Sequence, residues 1–298
     1  MSITPWERAE LDAANNSGKQ PVVFVHGLWL LPNSWNDWRE LFDTRGFATL
    51  APAWPGDPRN VDAARHDPST FRGQKIGMVA DHYADVIASL THKPVIIGHS
   101  FGGLIAQILI GRGLSVAGAA IDPAPHRGVL PLPISALRGA SPVLRNPLNY
   151  KRPVTLSFRQ FQYGFANAVP EAEAKALYDR YHVAAPGAPL FQAAIANLNP
   201  WSETKVNVRQ PRRGPIIFVS GERDHLAPWA ITNASFKRWK KHSDKPTEII
   251  EVPSRGHSLI LDRGWPEVAE TVLGFLQRNG VDSQNARVDR GAQADHVT

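Results

Sequence analysis

The chain of 298 residues is 43% hydrophobic and 20% charged, the balance of a folded protein with a large core, and its formal net charge of +6 is mild for that length. The absence of cysteine excludes disulfides, thiol catalysis and cysteine-ligated metal or iron–sulfur centres. No apolar run approaches about 18 residues and the start lacks a charged-then-apolar leader, so neither a membrane span nor export is predicted, and a cytoplasmic location is the expectation.

Residues 1–19 are polar and close on Asn15, Asn16, Ser17 and Gly18, which predicts an irregular arm. The apolar run 22–26 reads as a strand and leads into Gly27, Leu28 and Trp29. A helix over 34–44, a strand over 47–51 and a helix over 73–90 follow. The run 94–98 predicts another buried strand, and 102–112 an apolar helix directly behind it. Between them Gly98-His99-Ser100-Phe101-Gly102 fits G-x-S-x-G. A serine at so abrupt a strand-to-helix turn is forced outward, and glycines on both sides tolerate the strained backbone. Ser100 is therefore the candidate nucleophile. A strand over 116–122 ends on Asp122.

Beyond Asp122 the alternation of strands and helices stops. A proline-rich stretch, 123–153, leads into three helical pieces: one over about 157–168 with Phe158, Phe161 and Phe165 on one stripe, one with Leu177, Tyr178 and Tyr181, and one running from Leu190 to Leu198. We read 128–206 as a helical cap. Its aromatic stripes serve either ordinary packing or an apolar substrate pocket between cap and core, and Phe158, Phe161 and Trp29 are the candidate pocket residues. Strands over 215–220 and 247–252 and helices over 228–241 and 266–278 complete the alternation, which predicts a doubly wound, mostly parallel α/β sheet. A disordered tail is expected over 281–298.

A serine hydroxyl is a weak nucleophile at neutral pH and needs a base, itself oriented by an acid. Asp224 and His257 both fall in loops just past strand C-terminal ends, the sheet edge that also carries Ser100. Asp122 is the alternative acid. His26 and His99 read as structural, and His225 has no partner at metal-ligand spacing, so no metal and no cofactor are implied. The basic clusters at 205–213 and 237–241 read as solvated surface, with no nucleic-acid module beside them.

In the order Ser100, Asp224, His257, together with His26-Gly27-Leu28 after the first strand, the chain resembles the α/β-hydrolase superfamily from about Pro21 to Leu276. The resemblance implies a serine hydrolase, most simply a carboxylesterase, acting through an acyl-enzyme on a small to medium hydrophobic substrate. It places the oxyanion donors on the backbone N–H groups of Leu28 and Phe101, the core at 20–127 and 207–280, and the cap between. Lactonase, carbon–carbon hydrolase and cofactor-free perhydrolase chemistry share the same residues, and a non-catalytic receptor is the reading from a different class. After the strand over 47–51 the sequence Ala51-Pro52-Ala53-Trp54-Pro55-Gly56-Asp57 departs from the Asp-x-x-Gly-x-Gly pattern of many relatives. Oligomeric state is not encoded in any of these features.

Overall fold

Strands buried on both faces must be nearly continuous in apolar residues, and four runs meet that demand in full: β1 (Pro21–Val25), β3 (Val95–His99), β4 (Ala117–Ile121) and β7 (Ile216–Gly221) are buried at every position. In the computed structural model, which describes residues 3–283, they form the middle of a six-stranded sheet. Its strand order is β2-β1-β3-β4-β7-β8, with β2 (Ala48–Leu50) and β8 (Thr247–Val252) at the edges. All five pairings are parallel, from Val22 opposite Val95 to Gly221 opposite Val252. Every C-terminal strand end therefore opens on one edge.

Helices fill the crossovers, α2 (Asn36–Thr44), α4 (Ile76–Ala88), α5 (Phe101–Gly111) and α10 (Trp229–Lys241), and α11 (Trp265–Arg278) follows the last strand. A short α3 (Val61–His66) lies between β2 and α4. All of α5 is buried, as its apolar sequence on every face requires. Trp35, Trp38 and Phe42 pack around Phe24 of β1, with ring centroids 4.9, 6.4 and 5.5 Å away.

The predicted irregular arm is instead helix α1 (Pro5–Ser17). Thr4 and Glu7 close a capping box, Pro5 starts the first turn, and Gly18 ends the helix at φ 65°. Burial of Leu11 and Ala14, and a 2.9 Å hydrogen bond between Glu7 and His82, fasten it to the core. The remainder of the predicted tail, 284–298, lies outside the described residues.

The segment between β4 and β7 holds more order than a proline-rich lead and three helices. Helix α6 (Ile134–Leu144) forms inside the lead despite its internal Pro142. Strand β5 (Pro153–Val154) pairs antiparallel with β6 (Ala185–Pro186), and α7 (Phe158–Gly164), α8 (Glu171–Tyr181) and α9 (Ala188–Ala194) complete the segment. No helix among the described residues is long and apolar enough to cross a membrane.

Candidate active site

Ser100 sits between β3 and α5 with φ 56° and ψ −122°, a backbone region that side chains other than glycine rarely enter. The turn is held by the Ser100 amide donating to the Ile121 carbonyl at 3.0 Å and by the Leu104 and Ala124 amides donating to the Ser100 carbonyl at 3.1 and 3.0 Å. Its tightness explains the flanking glycines: a Cβ on Gly98 would stand 2.1 Å from the Gly102 carbonyl oxygen, and one on Gly102 would stand 2.0 Å from that of Val25.

The loops after β7 and β8 meet at the same edge. Asp224 Oδ2 accepts the Nδ1–H of His257 at 2.6 Å, and both residues are buried. Asp224 Oδ1 accepts the amides of Leu226 and Ala227 at 2.6 and 3.0 Å. Burial alone would raise the Asp224 pKa, but the His257 charge and hydrogen bond, with those two amides, bring it below the usual carboxylate range. Since Nδ1 carries the proton, Nε2 of His257 keeps its lone pair, and it has no protein hydrogen-bond partner.

Beneath this pair lies a second buried couple. His99 Nε2–H donates to the His257 carbonyl at 2.8 Å, and its ring lies 4.6 Å from that of His257. Burial, then the neighbouring His257, lowers His99 to about 3, so its imidazole is neutral. Asp122, at φ 42°, accepts the Gly221 amide at 2.8 Å on Oδ1. Burial, then the negative Asp224, raises its carboxyl well above the ordinary range. Donor atoms of His99, Asp122 and His257 lie within 4.8 Å of one another, the one such grouping among the described residues. A cation there would compete for His257, which Asp224 already holds.

A cavity of about 440 Å³ opens above Ser100 and His257. Trp29 and Phe101 line it, as does His126. Leu28 does not; its side chain borders a much smaller void on the other side of the loop, although neither the Leu28 nor the Phe101 amide is taken by a backbone carbonyl among the described residues. Phe158 and Phe161, expected in the pocket wall, are not there. Phe161 is fully buried, stacked on Phe165 at 5.0 Å and edge-on to Tyr178 at 5.4 Å, and Phe158 meets Tyr178 at 5.7 Å, so this stripe packs α7 onto α8. Phe165 alone of the stripe reaches the edge that carries His257, its ring 5.0 Å from that of His257.

The walls come largely from the stretch read as the proline-rich lead of the cap, including Val129, Leu132, Ala140 and Leu144, with Leu190 of α9. His126 was also missed. It is buried, its Nδ1–H donates to the Arg127 carbonyl at 2.9 Å, and burial lowers it to about 4, so the neutral ring presents an unpartnered acceptor, Nε2. His26 is structural as expected, with Asp57 3.3 Å from Nε2 and Trp54 stacked on its ring at 5.5 Å. His225 Nδ1–H donates to the Tyr163 carbonyl at 2.8 Å.

A family profile described as "Alpha/beta hydrolase family" matches residues 22–271. No curated protein matches the sequence. Among solved structures, a monoacylglycerol lipase from Paleococcus ferrophilus superposes with a TM-score of 0.58 at 19% identity, over 86% of this chain and 93% of that one. A methylesterase from Arabidopsis gives 0.60 at 14% identity, over 87% and 99%. A pyrethroid hydrolase from Sphingobium faniae JZ-2 gives 0.57 at 15% identity, over 87% and 97%. At such identities the likeness is one of fold.

Proposed function

The chain belongs to the alpha/beta hydrolase family, and from that premise we propose that it is a serine hydrolase cleaving a carboxylic ester, or a related acyl bond, of a small to medium hydrophobic molecule. One observation carries the reading: Ser100, on a left-handed turn, faces the same cavity as His257, whose other nitrogen is held by Asp224. His257 takes the Ser100 proton as the oxygen attacks the substrate carbonyl, then returns it to the leaving group; water repeats the sequence to release the acid. Asp224 fixes the tautomer that leaves Nε2 free to accept and stabilises the imidazolium that forms. The amides of Leu28 and Phe101 are the oxyanion donors, each worth roughly 3 to 4 kcal/mol in the transition state.

Residues 128–206 act as a cap, since this segment supplies most of the aliphatic wall above Ser100. Within that wall the acceptor on His126 favours a substrate with a hydroxyl or amide N–H at that depth. The test is Ser100→Ala with a serine-directed phosphonate. The variant should fold, lose about 10³-fold or more in hydrolysis of an activated ester, and escape a label that otherwise lands on Ser100 alone. Near-wild-type turnover by the variant, or labelling elsewhere, overturns the assignment.

A further inference from the structure

Scattered surface leucines mean little on any protein; their confinement to one place is informative. All eight exposed large hydrophobic side chains among the described residues fall between Leu130 and Trp201. Leu130, Leu132 and Ile134 are 77%, 67% and 85% exposed, and Leu198 and Trp201 are 85% and 86% exposed. The two groups border the same cavity, for Leu130 and Leu132 line it along with Asn197, the neighbour of Leu198. Asn197 ties the two groups together, accepting the Gly128 amide at 2.6 Å and donating to the Val129 carbonyl at 2.8 Å.

The charge of this region is as uneven as its hydrophobicity. Residues 123–170 contain six basic side chains and no acidic one, a local charge of +6 that equals the net charge of the whole chain. Arg138, Arg145, Lys151 and Arg152 are exposed and sit beside the apolar residues of α6 and the turn after it. None of the six pairs with a carboxylate among the described residues. Of the basic clusters singled out from the sequence, 237–241 reaches this region through Arg238, whose guanidinium lies against Gly128.

We propose that the cavity mouth is a docking surface for an anionic lipid bilayer. Aliphatic and indole side chains enter the headgroup boundary while the arginine and lysine heads stay with lipid phosphates, the division of labour of an interfacially bound protein. A second copy of the chain is the poorer occupant, because an isologous contact would set this uncompensated charge against itself. Docking stands without the hydrolase reading; delivery of an acyl substrate from the lipid phase straight into the cavity rests on it.

The test is flotation of the full chain with vesicles of phosphatidylcholine, with and without about one-third phosphatidylglycerol. The protein should float with the anionic vesicles at low salt and leave them at high salt. The triple variant Ile134→Ser, Leu198→Ser, Trp201→Ser changes side chains outside the cavity lining and should lose about tenfold or more in partitioning. It should hydrolyse a water-soluble short ester within about twofold of wild type. Each cation at an anionic surface is worth roughly fivefold, so Arg145→Gln with Lys151→Gln should weaken binding roughly 25-fold. Wild-type protein that ignores anionic vesicles, a triple variant that still binds them, or a dimer in sedimentation that the triple variant dissociates would each overturn the proposal. Wild-type protein that hydrolyses the ester but does not float refutes docking alone; wild-type protein that floats but does not hydrolyse it refutes the hydrolase reading alone.

Discussion

Replacing Asp224 by Asn tests the proposed catalytic apparatus at its most constrained point. The carboxylate accepts three hydrogen bonds, two from the Leu226 and Ala227 amides on Oδ1 and one from His257 on Oδ2. An asparagine has one acceptor atom, and the two amides claim it, so the NH₂ must face His257 Nδ1. That nitrogen then has to accept, the imidazole proton moves to Nε2, and the ring can no longer take a proton from Ser100. A wrong tautomer of this kind lowers turnover by about 10⁴-fold, or roughly 5 kcal/mol of transition-state stabilisation. Asp122→Asn is the matched control, for it keeps the side chain's shape and an oxygen that can accept the Gly221 amide, and this variant should stay within about tenfold of wild type. The assay is kcat/KM on an activated ester, with thermal unfolding to confirm that both variants fold. If Asp224→Asn stays within about tenfold while Asp122→Asn collapses, the acid is Asp122 and the tautomer argument fails.

Gly102→Ala places its Cβ 2.0 Å from the Val25 carbonyl oxygen, so it should cost about 3 kcal/mol or more in denaturant unfolding; a change under about 1 kcal/mol would mean that the elbow relaxes easily. Acid should destabilise the protein: burial lowers His99 to about 3 and His126 and His182 to about 4, so as pH falls from about 6.5 toward 4 the unfolded chain binds protons that the folded one refuses. The raised carboxyl of Asp122 works in the opposite sense, so the loss from pH 7 to 5 should be smaller than the roughly 5 kcal/mol that three such histidines alone would give, and a flat melting temperature over that range would contradict neutral buried histidines. Exchanging residues 130–144 for a short glycine–serine linker removes cavity wall, and should flatten the preference between short and bulky apolar esters while a small phosphonate still labels Ser100; unchanged preferences would return that stretch to a packing role.

The sheet was legible because each central strand is an unbroken apolar run bounded by turn residues, and a parallel sheet sends all such runs toward one edge. That is why Ser100, Asp224 and His257 could be read as neighbours from loops more than thirty residues apart. Helix α1 was hidden because it buries little beyond Leu11 and Ala14, although Thr4-Pro5-Trp6-Glu7 carried the capping signal. Helix α6 was hidden by Pro142 inside it and by Pro131 and Pro133 just before it, which read as a proline-rich lead. The Phe158 and Phe161 stripe was seen but misplaced: periodicity shows that a face is covered, not by what, and here α8 covers it. Asp122 beside Asp224 is a meeting of strand ends, β4 with the loop after β7, and no local spacing announces it.

Trp29 joins two parts of the molecule that are otherwise easily thought of as separable. Held at φ 64°, it donates its indole N–H to the Val154 carbonyl at 3.0 Å, while its own carbonyl accepts the Val183 amide at 3.1 Å. Val154 belongs to the small β5–β6 ribbon and Val183 lies just before it, so the ribbon grips the peptide next to Leu28 from two directions. For protein engineering this divides residues 128–206 into unequal portions. On the proposed function, the outer walls, α6 and α9, are the exchangeable parts through which substrate range would be altered, whereas the ribbon is a mounting bracket for the proposed oxyanion loop. A graft that imports a relative's entire segment would move the bracket too, and its loss of rate would be mistaken for a poor fit of substrate.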